Sequence, residues 1–113
     1  MQIYDEANQL ARAIRESDVC RDYRRLKEEV EGNETSAALM KEYKRLQLQL
    51  QMAAVAGSPV KDEDTQRFQQ IGALLFSQES TQQFLLCEMR VQQMMADVYK
   101  TLSDAAGLDM PGV

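Results

Sequence analysis

The chain is predicted to be all-α: an elongated antiparallel bundle of about five helices, expected to be dimeric. Three observations carry this. Apolar residues recur at a helical step almost without interruption from Ile3 to Leu102. Five glycines and two prolines in 113 residues leave long stretches free to stay helical. The single stretch that reads as a strand, within residues 46–52, has its composition against it.

The first helix shows in Ile3, Ala7, Leu10 and Ile14, which fall on one helical face. Asp5 and Glu6 near its start and Arg12 and Arg15 near its end carry the signs that suit the macrodipole. Ser17 offers a cap for a second helix, with Asp18 in its first turn. Val19, Tyr23, Leu26 and Val30 form the apolar stripe of that helix, and Gly32-Asn33 stops it. Asn33 can in turn cap a third helix.

Residues 46–52 of this third segment read LQLQLQM, an alternation that suits a half-buried strand. No β-branched residue precedes Val55 in this window, however, and Gln, Leu, Met, Lys and Arg are good helix formers. Leu39, Tyr43, Leu46 and Leu50 also fit a helical face, and a lone strand would have no partner in the chain. A helix is therefore expected. Gly57-Ser58-Pro59 ends it.

Asp62-Glu63-Asp64 loads the start of a fourth helix with negative charge, and Phe68, Ile71, Leu74 and Leu75 give it an apolar face. Gly72 on this helix costs stability and suggests a close helix crossing. Ser80 with Gln83 matches a capping box, or else the chain kinks around residues 77–80. The last helix carries Phe84, Val91, Met94, Met95, Val98 and Leu102. A frayed tail over 107–113 completes what reads as one domain, 1–113. At about 22 and 26 residues, the third and last helices would run roughly 33 and 39 Å. A compact monomer of this length is only about 34 Å across, which favours an elongated bundle or a dimer covering the overhang.

Composition excludes several functions. There is no histidine, so Ser-His, Cys-His and His-metal arrangements are impossible. Neither a Gly-rich phosphate loop nor an EF-hand is present. No enzymatic role, metal or cofactor is expected. The formal net charge of −5 opposes binding to nucleic acid and to anionic membranes, and no segment is apolar enough to span a bilayer. With two cysteines, Cys20 and Cys87, and charges interrupting the N-terminal segment, a reduced cytoplasmic protein is expected.

What remains is association. Seven methionines and thirteen glutamines suit helix faces that pack on other helices. The residues expected to mediate dimer or partner contact are Phe84, Val91, Met94, Met95, Val98 and Leu102, with Tyr43, Leu46 and Leu50 as an alternative surface. The competing nucleic-acid patch is Arg21, Arg24, Arg25 and Lys27, diluted by Asp22, Glu28 and Glu29.

The opening run Tyr4-Asp5-Glu6-Ala7-Asn8-Gln9-Leu10-Ala11-Arg12-Ala13-Ile14-Arg15-Glu16-Ser17 resembles the start of the YlbF/YmcA family of bacterial regulators. Tyr23, the stretch Gln47 to Gln51 leading to Gly57, and Phe84-Leu85 with the following helix are also similar, so the likeness covers about residues 2 to 106. The resemblance implies an all-helical, usually dimeric protein of the bacterial, mostly Gram-positive, cytoplasm. It implies an accessory regulator of competence, biofilm formation and sporulation. Such a regulator acts in a complex with other family members and a third protein, YaaT, that assists mRNA processing by ribonuclease Y. Some members carry cysteines linked to iron–sulfur clusters. This chain has no cysteine-rich tail, and neither Cys20 nor Cys87 falls in a matching motif.

Overall fold

Helix caps set the boundaries of the fold. The computed structural model describes residues 1–108, which form five α-helices and, among the described residues, no strand. These are α1 (Gln2–Glu16), α2 (Asp18–Glu31), α3 (Glu34–Ala56), α4 (Asp62–Ser77) and α5 (Glu79–Ala106). Ser17 is the hinge residue between α1 and α2. Its hydroxyl donates to the Ile14 carbonyl at 2.6 Å and accepts from the Cys20 N–H at 3.3 Å, closing one helix and capping the next. Asn33 caps α3 as its sequence position suggests, accepting from the Ser36 N–H at 2.9 Å.

At the other end of α3, Gly57 adopts φ 67°, and the Ser58 N–H reaches back to the Ala53 carbonyl at 2.9 Å. This left-handed stop is one that only glycine takes at no steric cost. Gly107 ends α5 in the same way. Residues 109–113 of the expected frayed tail lie outside the described residues.

Of the two readings open at residues 77–80, the chain takes the kink, a break of one residue at Gln78. Ser80 and Gln83 do not form a capping box, because α5 already begins at Glu79 and only Gln78 is extended between α4 and α5. Thr81 makes the junction instead: its buried hydroxyl bonds the carbonyl of Leu75, the third residue from the end of α4. A helix-terminal carbonyl that would otherwise lack a partner is thereby satisfied.

The chain divides into two compact units, residues 26–84 and residues 1–25 with the chain from 85 onward. The first holds α3 and α4, packed as an antiparallel pair. Contacts run in opposite directions along the two helices: Gln49 with Asp64, Tyr43 with Phe68, and Ser36 with Gln78. Gly72 does what its cost suggests. The Tyr43 ring lies where a Cβ on Gly72 would meet it at 3.2 Å, and stacks on Phe68 at 4.7 Å between centroids. Leu26, Val30, Met40, Leu46, Ile71, Leu75 and Phe84 are the buried apolar residues of this unit.

The other unit has far less interior. Its buried residues are Cys20, Leu85, Cys87 and Ser103, and none belongs to α1. Contacts between α2 and α5 within it include the Tyr23 hydroxyl to the Glu88 carboxylate at 3.3 Å and the Cys87 thiol to the Val19 carbonyl at 3.5 Å. The long helices are close to their expected lengths, 23 residues in α3 and 28 in α5.

Candidate interaction surfaces

The residues expected to meet a partner separate into those spent on the interior and those left outside. Phe84 is buried, with the Lys44 ammonium 5.8 Å from its ring centroid. Leu46 is wholly buried. Both belong to the chain's own core, so neither can be offered to another protein in this fold. Tyr43 is half-buried in its stack with Phe68, and Leu50 is half-buried beside it on the same face of α3. Of the α5 residues, Val91, Met94 and Val98 are half-buried, while Met95 and Leu102 are exposed.

Met95 and Leu102 are joined by Tyr99, also exposed, at i, i+4 and i+7. That spacing makes a continuous apolar stripe along one face of the C-terminal half of α5. Tyr99 was not among the expected residues, though the periodicity that singled out Met95 and Leu102 includes it.

α1 supplies a second stripe that sequence reasoning did not assign to a site. Ile3, Ala7, Leu10 and Ile14 mark its apolar face, yet Ile3 and Ala7 are exposed and Leu10 and Ile14 only half-buried. Tyr4 beside them is exposed as well. An amphipathic helix draws most of its stability from burying its apolar face. Here that face remains largely in water.

Two of the four residues of the basic patch of α2 make local contacts. The Arg24 guanidinium donates to the Arg15 carbonyl at 2.7 Å, closing the C-terminal end of α1. Arg25 pairs with Asp22 at 3.8 Å, and Arg21 and Lys27 are exposed on the same helix. Arg24 thus acts as a clamp on α1, and Asp22 offsets part of the remaining charge.

The ionisable groups of α3 and α4 are organised as a clasp. Glu42 accepts from the Arg45 guanidinium at 2.7 and 2.9 Å and lies 3.3 Å from Arg67 on α4. Arg45 donates onward to Gln49 at 3.1 Å, and Gln49 to Asp64 at 3.0 Å. The hydrogen bonds from Arg45 hold the Glu42 carboxyl below the ordinary carboxylate value and raise Arg45 in return. This arrangement ties two helices together and brings no pair of carboxylates to a common point.

Cys20 and Cys87 are both buried free thiols. Burial, with Asp22 adding to it, pushes the Cys87 thiol up, away from the thiolate form that acts as a nucleophile. No group of three or more Cys, Asp or Glu able to hold a metal occurs among the described residues. No helix of the structure is long and apolar enough to cross a membrane.

Comparison with known proteins agrees with the architecture. A family model described as "Control of competence regulator ComK, YlbF/YmcA" matches residues 3–105, which include the opening run, Tyr23, Gln47 to Gly57 and Phe84-Leu85. A UPF0342 protein of Symbiobacterium thermophilum is 25% identical over 109 residues, covering 96% of this chain and 97% of the relative. Another, from Halothermothrix orenii, is 29% identical over 102 residues, covering 90% and 86%.

Among solved structures, a protein of unknown function (DUF964) from Bacillus stearothermophilus superposes with a TM-score of 0.80 at 21% identity, covering 95% of this chain and 94% of the other. Bacillus subtilis RicA, solved in complex with RicF, gives a TM-score of 0.62 at 19% identity, with 94% of each chain covered. At these identities the likeness is one of fold.

Proposed function

We propose, for a chain that belongs to the YlbF/YmcA family of control-of-competence regulators, a non-enzymatic adaptor role exercised by lending helix faces to other helical proteins. The observation that carries this is the state of α1 and the end of α5. Together they present Ile3, Tyr4, Ala7, Met95, Tyr99 and Leu102 to water, while no residue of α1 is fully buried. Exposed apolar stripes of this kind mark protein interaction sites. The RicA structure supports the same idea, since that protein of similar fold was captured with a second protein, RicF.

On this reading the protein is a cytoplasmic accessory regulator. Its partners are copies of itself, other members of the family and a YaaT-like protein, and its assembly serves competence, biofilm formation or sporulation by assisting ribonuclease Y. Direct contact with RNA through Arg21, Arg24, Arg25 and Lys27 is not required, because Arg24 is engaged within the chain.

The test is co-purification of the tagged full chain from its own host, beside the variants Met95→Lys and Leu102→Lys. Both positions are exposed, so the variants should keep their helical circular dichroism while losing the helical partner. Retention of the same partner by both variants contradicts the assignment. Binding to single-stranded RNA that weakens steeply with salt would place the function on phosphate contacts instead.

A further inference from the structure

The chain has two cysteines, and both lie in the interior of its less filled unit. Among the described residues that unit buries four, Cys20, Leu85, Cys87 and Ser103. Cys20 is the third residue of α2, and Cys87 belongs to α5. The Cys87 Sγ donates to the Val19 carbonyl at 3.5 Å, and that carbonyl belongs to the peptide leading directly into Cys20. Its oxygen is three bonds, about 4 Å in all, from the Cys20 Cα. The Cys87 sulfur therefore lies within about 7.5 Å of the Cys20 Cα. The two thiols also act on each other, since charge on Cys20 is among the causes that push Cys87 up.

We propose that Cys20 and Cys87 form a reversible dithiol–disulfide site, which bonds α2 to α5 when the chain meets a hydroperoxide. Cysteines used only as small hydrophobes can sit anywhere in a core. Here the 26–84 unit, which holds most of the buried apolar side chains, has no cysteine, and the two that exist face one another on helices in contact. A disulfide joins Cα atoms about 4.4–6.8 Å apart. A turn of the two side chains and a small slide of α2 along α5 close the bond. A unit with so few buried apolar residues resists such a slide weakly.

Cys87 is the thiol held away from its thiolate form, so Cys20 takes the first step. The Cys20 thiolate attacks one peroxide oxygen, the O–O bond breaks, and Cys20 becomes a sulfenic acid. The hydroxide or alkoxide that leaves takes up the proton Cys20 gave away. Cys87 then loses its proton and attacks the Cys20 sulfur. The S–O bond breaks, the S–S bond forms and water departs. Two thiols are oxidised to one disulfide, and the hydroperoxide is reduced to water and an alcohol, or to two waters when it is hydrogen peroxide. Small thiols reverse the bond by exchange, as a cytosolic redox site requires. The loop so closed contains the whole of the 26–84 unit. The inference does not depend on the association reading above.

The test uses the full reduced chain and hydrogen peroxide in slight excess, read by intact mass and by thiol titration in denaturant. The wild type should lose two hydrogens and both titratable thiols while remaining a single covalent chain with unchanged helical circular dichroism. Its Tm should rise by about 10 °C and return on adding dithiothreitol. Cys87→Ser should stop at a sulfenic acid that dimedone traps, and Cys20→Ser should be labelled at least about tenfold more slowly. Wild type that keeps both thiols, that links two chains, or that gains the bond only with loss of helix overturns the site. Equal dimedone labelling of the two variants overturns the role of Cys20 as the attacking thiol.

Discussion

Leu46 and Leu48 are two positions apart on one helix and have opposite fates: Leu46 has no exposed surface and Leu48 is 57% exposed. Truncating the first should leave a cavity in the interior of the unit that also buries Met40, Ile71 and Leu75. Leu46→Ala is therefore expected to cost about 2–5 kcal/mol in urea unfolding. Leu48→Ala should change stability by less than about 0.5 kcal/mol, as exposed positions do. Equal losses at the two sites would mean that the inward face has been misassigned. Thr81 offers a second contrast, because its hydroxyl is buried and bonded to the Leu75 carbonyl. Thr81→Val keeps the volume but strands that carbonyl, at about 1–3 kcal/mol. Thr81→Ser should recover part of the loss, which a role in packing alone does not predict. The Glu42 carboxyl titrates below its unfolded value because Arg45 bonds its charged form. Its contribution is accordingly complete at neutral pH, begins to fade once pH falls to about the ordinary carboxylate value, and is gone below the folded one. The Tm difference between wild type and Glu42→Gln should thus be present at pH 7 and shrink toward zero in acid. A difference that instead grows as pH falls contradicts the clasp.

At the scale of elements, legibility in the sequence followed the locality of the signal. Asn33, Gly57 and Ser17 act through bonds to residues three to five positions away, so their side-chain types announce the helix ends they make. Asn33→Ala should cost about 1 kcal/mol for the lost cap. A loss much smaller than that in denaturant unfolding would mean the cap bond does not matter to the fold. The same locality explains why a capping box and a kink could not be told apart at the α4–α5 junction. Ser80-Gln83 has the pattern of a capping box, but the bond that decides the junction runs from Thr81 to Leu75 across the turn, and no short-range pattern encodes it. The alternation in residues 46–52 was resolved correctly as helix, yet its meaning was hidden. A period of two on a helix sends Leu46 and Leu50 inward and Leu48 and Met52 to the far side, so the repeat that imitates a strand signals a helix with two apolar edges. Phe84 and Leu46 could not be told from partner-facing residues for a related reason. An apolar stripe looks the same in sequence whether its own chain or another covers it, and only the packing of α3 on α4 decides the matter.

At the scale of the whole molecule, the two units differ in how much of their own surface they bury. Residues 26–84 contain most of the buried apolar side chains, with α3 and α4 locked by the Tyr43–Phe68 stack and the Glu42–Arg45–Arg67 clasp. The other unit includes α1, a helix of 15 residues with no buried side chain. A helix of that length is marginal in water on its own, since nucleation is costly and propagation gains little without a packed face. Opening of α1 in the free chain should therefore cost far less free energy than opening of α3. Native-state hydrogen exchange reads this directly. Amides of residues 5–14 are expected to exchange through local opening well before those of residues 40–50. Their protection should rise when a partner covers Ile3, Ala7 and Leu10, and with it the apparent stability of the unit, as binding to the folded state requires. Charge reversal of Arg24, whose guanidinium closes the end of α1 on the Arg15 carbonyl, should speed exchange in α1 further while leaving α3 unchanged. Protection of α1 equal to that of α3 in the isolated chain would show that α1 needs no other protein to hold it. The case for an adaptor built on α1 would then fail, whatever the family to which the chain belongs.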